Sequence, residues 1–163
     1  MVQFQSFLVD SHGNMTVNGS YGAYLKCAPS TLNYPANALT DLIWATPVLS
    51  YGSSSLTNNT ARVHFTTAGV YAFCCHVHAN ATLTSTTTFQ LQSFYSTDGS
   101  VWSGLHYGEQ NCAAGSSQDF ALNGVVQAAT NSYIKLQFYN GLSSTIMLTN
   151  VIGWCSLSVY RVG

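Results

Sequence analysis

Charged residues are scarce in this 163-residue chain. They make up 6% of it, with four Lys or Arg and five Asp or Glu, whereas soluble domains average about 25%. The four cations, Lys26, Arg62, Lys135 and Arg161, are scattered along the whole length. Proteins that bind nucleic acid neutralise many phosphates with clustered Lys and Arg. The sequence therefore excludes a nucleic-acid partner.

Long apolar segments and catalytic motifs are also missing. No apolar run approaches the ~20 residues that a membrane-spanning helix requires, so we expect no membrane insertion. The chain contains no Gly-x-Ser-x-Gly elbow, no CxxC pair and no phosphate-binding glycine loop. Its few acids lie mostly in predicted turns. We therefore expect no enzymatic activity and no cofactor.

The low charge has a consequence for assembly. A free monomer normally carries charges of both signs on its surface to remain soluble, so this chain is expected to hide much of its surface against other subunits. The alternative is a monomer kept soluble by its many Ser, Thr, Asn and Gln residues. We predict a single domain over residues 1–163, with residues 1–20 as a candidate N-terminal strand or arm used in assembly.

What the chain does contain is a hydrophobic pattern with a period of two residues, which is typical of half-buried strands. Turn signals such as Asn123-Gly124 and Asn140-Gly141 recur at short intervals. The pattern predicts about ten strands, which leaves an all-β sandwich, jelly roll or barrel. We place them near residues 2–9, 15–17, 21–27, 42–49, 61–66, 70–79, 83–95, 101–107, 119–137 with an internal turn, and 145–161. Residues 29–35 are predicted as a surface loop, and residues 36–44 have the composition of a single helical turn.

Residues 63–73, with the sequence VHFTTAGVYAF, resemble the C1q/TNF-like family of trimeric jelly rolls. In that family a strand ending in Phe passes through a Pro-Gly or Ala-Gly turn into a Val/Leu-Tyr-x-Phe strand. Residues 156–162 are similar to the short apolar strand that ends the family's domain. The resemblance implies an antiparallel jelly-roll sandwich and a homotrimer. The chain departs from the family in having no collagen-like stem and no acidic cluster for a calcium site.

Alternation along the strands also predicts which side chains lie inside and which lie outside. The predicted core residues are Phe65, Tyr71, Phe73, Val77, Leu136 and Phe138. Cys74, His76 and His78 share the opposite face of their strand, and about 7 Å separates the two His residues. The two His residues are the candidate metal ligands, which a trimer axis could bring together in three copies, although we expect exposed or interface side chains here and no bound metal.

Two further groups of residues bear on function. Tyr95, Trp102 and Tyr107 lie among Ser, Gly and Asn, a composition typical of recognition loops; they form a candidate recognition surface, with burial in the core as the alternative. The five Cys residues are an odd number, and most are expected to be buried thiols. One disulfide that includes Cys112 is the alternative.

These observations favour a non-enzymatic structural protein of a virion. It would be a trimeric capsid decoration (cement) protein or the head of a spike or fibre, located on the virion, with a capsid protein or a host surface receptor as its partner. A secreted, extracellular C1q/TNF-like recognition or signalling module is the alternative. A carbohydrate-binding β-sandwich is a third candidate.

Overall fold

The computed structural model describes residues 7–9, 15–17, 24–27, 33–44, 49–51, 56–59, 61–80, 83–115, 118–148 and 155–162. Within these residues all regular secondary structure is β, and the strand pairs are antiparallel. None of these residues belongs to a helix that could span a membrane.

The strands are β1 (Phe7–Val9), β2 (Met15–Val17), β3 (Tyr24–Cys27), β4 (Asn33–Tyr34), β5 (Ala38–Asp41), β6 (Leu49–Tyr51), β7 (Leu56–Asn59), β8 (Arg62–Phe65), β9 (Gly69–Asn80), β10 (Thr87–Ser96), β11 (Ser103–Cys112), β12 (Asp119–Ala128), β13 (Ser132–Asn140), β14 (Ile146–Leu148) and β15 (Ser156–Arg161).

These strands form two large sheets and a separate β1–β2 ribbon. The first sheet has the order β11-β10-β13-β8-β7, and β5 pairs with the end of β13 beyond β8. In the second sheet β12 pairs with β9, and β15, β3 and β6 follow on the other side of β9. β14 pairs with the last residues of β9 and with β4. The expected two-sheet antiparallel sandwich is therefore present.

The core lies between the two large sheets. Every second residue of β13 is buried, as the two-residue period predicts. The six predicted core residues are at most 2% exposed: Phe65, Tyr71, Phe73, Val77, Leu136 and Phe138. Rings from both sheets meet there, with the Phe120 centroid 5.0 Å from that of Phe89 and 5.6 Å from that of Phe138. Aromatic pairs of this kind contribute about 0.5–1.5 kcal/mol beyond the burial of their area.

The predicted turn at Asn123-Gly124 is wrong, because β12 runs unbroken through both residues. The chain turns instead between β12 and β13, where Asn131 has a φ of 61°. Gly124 has a different role in the fold. A Cβ atom there would lie 2.6 Å from the Phe73 ring and 2.6 Å from the His106 ring, so the glycine permits close approach of these side chains.

Three local expectations before β6 also differ from the structure. Strand β5 occupies residues 38–41 in place of a helical turn, and the predicted strand at 42–49 is not continuous, since Leu42 and Ile43 lie outside strands. Tyr34, at the end of the predicted loop 29–35, is fully buried in β4 and pairs with Ile146. Parts of the predicted segments lie outside the described residues. These are residues 28–32, residues 45–48 and, apart from β1 and β2, residues 1–20.

Candidate functional site

On its outward side the second sheet bears few charged side chains along β12, β9 and β15, while the next strand, β3, carries Lys26 opposite Ser158. Pairing of β12, β9 and β15 places its side chains in cross-strand rows. The rows are Ala121–His76–Ser156, Asn123–Cys74–Ser158 and Val125–Ala72–Tyr160, with Asp119 opposite His78 at one end. Val125 is 56% exposed and Tyr160 is 43% exposed. We call these eleven residues the second-sheet face, and Asp119 is the only Asp, Glu, Lys or Arg among them.

Asp119 lies next to both His residues of this face. Its Oδ1 atom lies 2.8 Å from Nδ1 of His78 and 3.7 Å from Nε2 of His76. The strand thus brings both His residues to one face, as the alternation predicts. No group of three or more His, Cys, Asp or Glu side chains in the described part of the chain has the geometry to hold a metal ion. Asp119 thus hydrogen-bonds to His78, whereas His76 lies beside it beyond hydrogen-bond distance.

The described cysteines differ in environment. Cys74 is exposed on the second-sheet face, whereas Cys75, Cys112 and Cys155 are buried thiols. Burial raises the pKa of Cys75 well above its usual value. Cys155 accepts a hydrogen bond at 3.0 Å from the backbone N–H of His78. The buried thiols therefore act as core side chains.

The outward face of the first sheet has a different composition, dominated by amides and aromatic rings. Its rows are Tyr107–Gln92–Gln137–Asp41, Glu109–Gln90–Tyr139–Leu39 and Phe94–Lys135–Arg62. Trp102, directly before β11, contacts the third row. We call these residues the first-sheet face. Tyr107 is the most exposed of its rings, with 57% of its surface accessible.

Hydrogen bonds connect the polar side chains of the first-sheet face. The Gln92 amide donates to Oε1 of Gln90 at 3.0 Å, and the Gln90 amide donates to Glu109 at 3.2 Å. The hydroxyl of Tyr107 donates to the same Glu109 carboxylate, and this bond raises the pKa of Tyr107. On the other side of Gln92, the Gln137 amide donates to Asp41 at 2.6 Å. The side chains thus form an ordered polar surface.

Each fixed charge of the first-sheet face has a partner within it or beside it. The Lys135 ammonium lies 3.2 Å from Asp41 and 4.9 Å from the Trp102 ring centroid. The Arg62 guanidinium lies 5.3 Å from the same ring and donates to the Gly99 carbonyl at 3.0 Å. The face contains two cations, Arg62 and Lys135, and two carboxylates, Asp41 and Glu109. Its formal charge is therefore zero. A ligand would therefore meet little net charge.

The structure brings together two of the three predicted recognition residues. Trp102, which is half-buried, and Tyr107 belong to the first-sheet face. Tyr95 does not, because it pairs with the buried Ile134 and packs against the core. Its hydroxyl accepts a hydrogen bond from the backbone N–H of Ala129 at 2.9 Å. The alternation of Phe89, Leu91, Ser93 and Tyr95 is the sequence signal for this inward position.

Crystal structures of murine APRIL share this architecture. The structure at pH 8.0 superimposes with a TM-score of 0.69 and 15% identity, covering 86% of this chain and 99% of the other. The fold is a TNF-like jelly roll. Structures of the same protein at pH 5.0 and pH 8.5 give TM-scores of 0.68 and 0.67 at the same identity and coverage. No family model matches the sequence, and no curated protein is significantly similar to it.

These likenesses bear on the fold alone, because the identity is 15%. The predicted fold, an antiparallel TNF-like jelly roll, is confirmed. The number of strands is larger than predicted, because short segments such as β4 and β5 pair with distant parts of the chain and count separately.

Proposed function

We propose that this chain is a non-enzymatic, TNF-like binding module that assembles into a homotrimer through its second-sheet face. The observation that carries the proposal is the near absence of charge on that face, together with its two exposed apolar side chains, Val125 and Tyr160. Interface centres are depleted of charge, and aromatic residues are enriched there. Most side chains in its rows are short, which allows close approach of a second copy.

The first-sheet face is less suited to self-association. Burying it would remove Arg62, Lys135, Asp41 and Glu109 from water, and the desolvation of ion pairs offsets most of the Coulombic gain. Among its eleven residues, the second-sheet face would desolvate one fixed charge, Asp119, which His78 already contacts, and Lys26 lies opposite Ser158 at its margin. A trimer built through the second sheet leaves the first-sheet face exposed.

The partner is proposed to be a capsid protein or a host surface receptor. A TNF-like fold supports a secreted recognition module at least as well as a virion component, so the virion location and the extracellular alternative both stay predictions. Immunogold labelling of purified particles tests the virion role. Decoration of particles is the result expected for a cement protein or spike head, and its absence with secretion of the protein would favour the recognition module.

Sedimentation equilibrium tests the assembly. We expect three times the chain mass of 17.5 kDa at micromolar concentration. Val125→Arg should reduce this to one chain mass, because an unpaired charge would be buried in each interface. Val101→Arg is the matched control, since Val101 is 73% exposed in the loop before β11, and it should leave the trimer intact. A monomeric wild-type protein, or a trimeric Val125→Arg variant, would contradict the proposal.

A further inference from the structure

We infer that the first-sheet face binds a neutral oligosaccharide. The inference rests on the proposed function in one respect, namely that self-association leaves this face open. It goes further by assigning a ligand class to the face. Three properties of the described side chains carry it: paired donors and acceptors, an exposed ring, and charges that are already compensated.

Sugar hydroxyls each act as both donor and acceptor, so a site for them needs donors and acceptors side by side. The Gln side chain provides both in one planar group. Gln90, Gln92 and Gln137 lie on the adjacent strands β10 and β13, with Gln92 directly opposite Gln137. The carboxylates of Glu109 and Asp41 flank them and fix the orientation of two amides. The result is a preorganised grid of polar groups on the surface of the sheet.

Pyranose rings also present an apolar C–H face, which packs on aromatic side chains. Tyr107 stands beside Gln92 in the same row, and more than half of its surface is accessible. Its hydroxyl donates a hydrogen bond to Glu109, which also accepts from Gln90, and this bond fixes the orientation of the ring. An aromatic ring next to an amide suits a ligand that is apolar on its face and polar at its edge.

The charge of the face selects a neutral ligand. An anion would meet no net positive charge here, because Lys135 lies 3.2 Å from Asp41 and the two cations of the face are matched by two carboxylates. A neutral saccharide does not depend on such a charge.

A protein partner is less favoured on the same face. Protein interfaces depend on a central cluster of desolvated apolar or aromatic anchors. Here the centre is occupied by Gln92 and Gln137, while the exposed Leu39 and Leu105 lie on the strands β5 and β11 at its margins. This arrangement places polar groups where a protein interface needs apolar ones.

The test is binding of the full-length protein to immobilised neutral oligosaccharides, namely gluco-, manno-, galacto- and N-acetylglucosamine oligomers, with sialylated glycans alongside. The best neutral ligand is then titrated by calorimetry. Tyr107→Ala and Gln92→Ala should each weaken binding at least tenfold. Gln127→Ala is the matched control, because Gln127 is an exposed Gln on β12 of the other sheet, and it should bind like the wild type.

Sedimentation of every variant separates this inference from the proposed function. A wild-type trimer that binds none of the neutral oligosaccharides, or only sialylated ones, would overturn the inference and leave the trimer standing. Retained binding in both Tyr107→Ala and Gln92→Ala would overturn the assignment to this face. A monomer that binds neutral sugar with the expected loss in both variants would support the inference and contradict the trimer. Binding of a protein ligand through these residues, without any sugar binding, would also overturn it.

Discussion

At the scale of single residues, Gly124 has no side chain, and this lets two aromatic rings pack closely against its backbone. Phe73 of the second sheet and His106 of the first approach it closely, and their ring centroids are 5.3 Å apart at 74°. His106 is held in turn by Ser93, whose hydroxyl oxygen lies 3.2 Å from Nδ1. Any side chain at position 124 must therefore displace both rings.

We expect Gly124→Ala to lower the free energy of unfolding by about 1–3 kcal/mol, the range for overpacking in a core. In a His106→Ala background the same change should cost less, because the Phe73 ring can move into the vacated space. A double-mutant cycle by urea unfolding measures this coupling. Gly104→Ala is the control, since the nearest atom to its new Cβ is 4.0 Å away. Additive effects of the two substitutions would contradict the account.

Asp98 is a residue whose charge supports the loop before β11. Its carboxylate accepts hydrogen bonds from the backbone N–H groups of Ser100 at 2.8 Å and Val101 at 3.1 Å, and from the Ser96 hydroxyl at 3.0 Å. The bond from Ser100 is the largest of the causes that lower the pKa of Asp98 well below its usual value. Because the folded pKa lies below the unfolded value of about 3.9, the stabilisation is present above that pH and is lost as the pH falls through the folded pKa.

We therefore expect acid to destabilise the wild type more steeply than Asp98→Asn below about pH 4. Urea unfolding at several pH values between 2 and 7 measures the two slopes. The variant should be the less stable protein near neutral pH, and the difference should shrink as the pH falls. Parallel curves for the two proteins would show that this carboxylate does not contribute to the pH dependence.

At the scale of strands, the sequence predicts some elements well and others poorly, for a physical reason. Long strands such as β9 and β13 have one face in the core, so the two-residue period of burial appears directly in the sequence. The short strands β4 and β5 exist because of partners more than 90 residues away, Tyr34 opposite Ile146 and Leu39 opposite Tyr139. Local pattern contains no information about such partners.

For the two candidate faces, too, local pattern predicts some features and strand order decides the others. Alternation places His76 and His78 on one side of β9 and Gln90 and Gln92 on one side of β10. It cannot show that Asp119 lies beside the His residues or that Gln137 lies beside Gln92, since these neighbours are set by strand order. The sequence analysis therefore predicts Trp102 and Tyr107 of the first-sheet face but misses its Gln residues, although Gln at alternate positions of strand segments is a visible signal.

At the scale of the whole molecule, the few charges are unevenly divided between the two outward faces. The first-sheet face contains four charged side chains, in compensated contacts, and the second-sheet face contains Asp119 alone among the eleven residues that define it. This division gives one face suited to burial against another copy and one suited to contact with water and a polar ligand. A chain with 6% charged residues can still present two chemically distinct surfaces.

The assembly should accordingly resist salt. Raising ionic strength from 0.1 M to 1 M shortens the Debye length from about 10 Å to about 3 Å and weakens exposed ion pairs, whereas burial of apolar surface is not screened. The second-sheet face offers Val125 and Tyr160 for burial, and its one carboxylate is engaged within its own chain. We expect sedimentation equilibrium in 0.1 M and 1 M NaCl to give the same trimer fraction or a larger one at high salt. Dissociation that increases steeply with salt would mean that ion pairs between chains hold the trimer, and would move the interface away from this face.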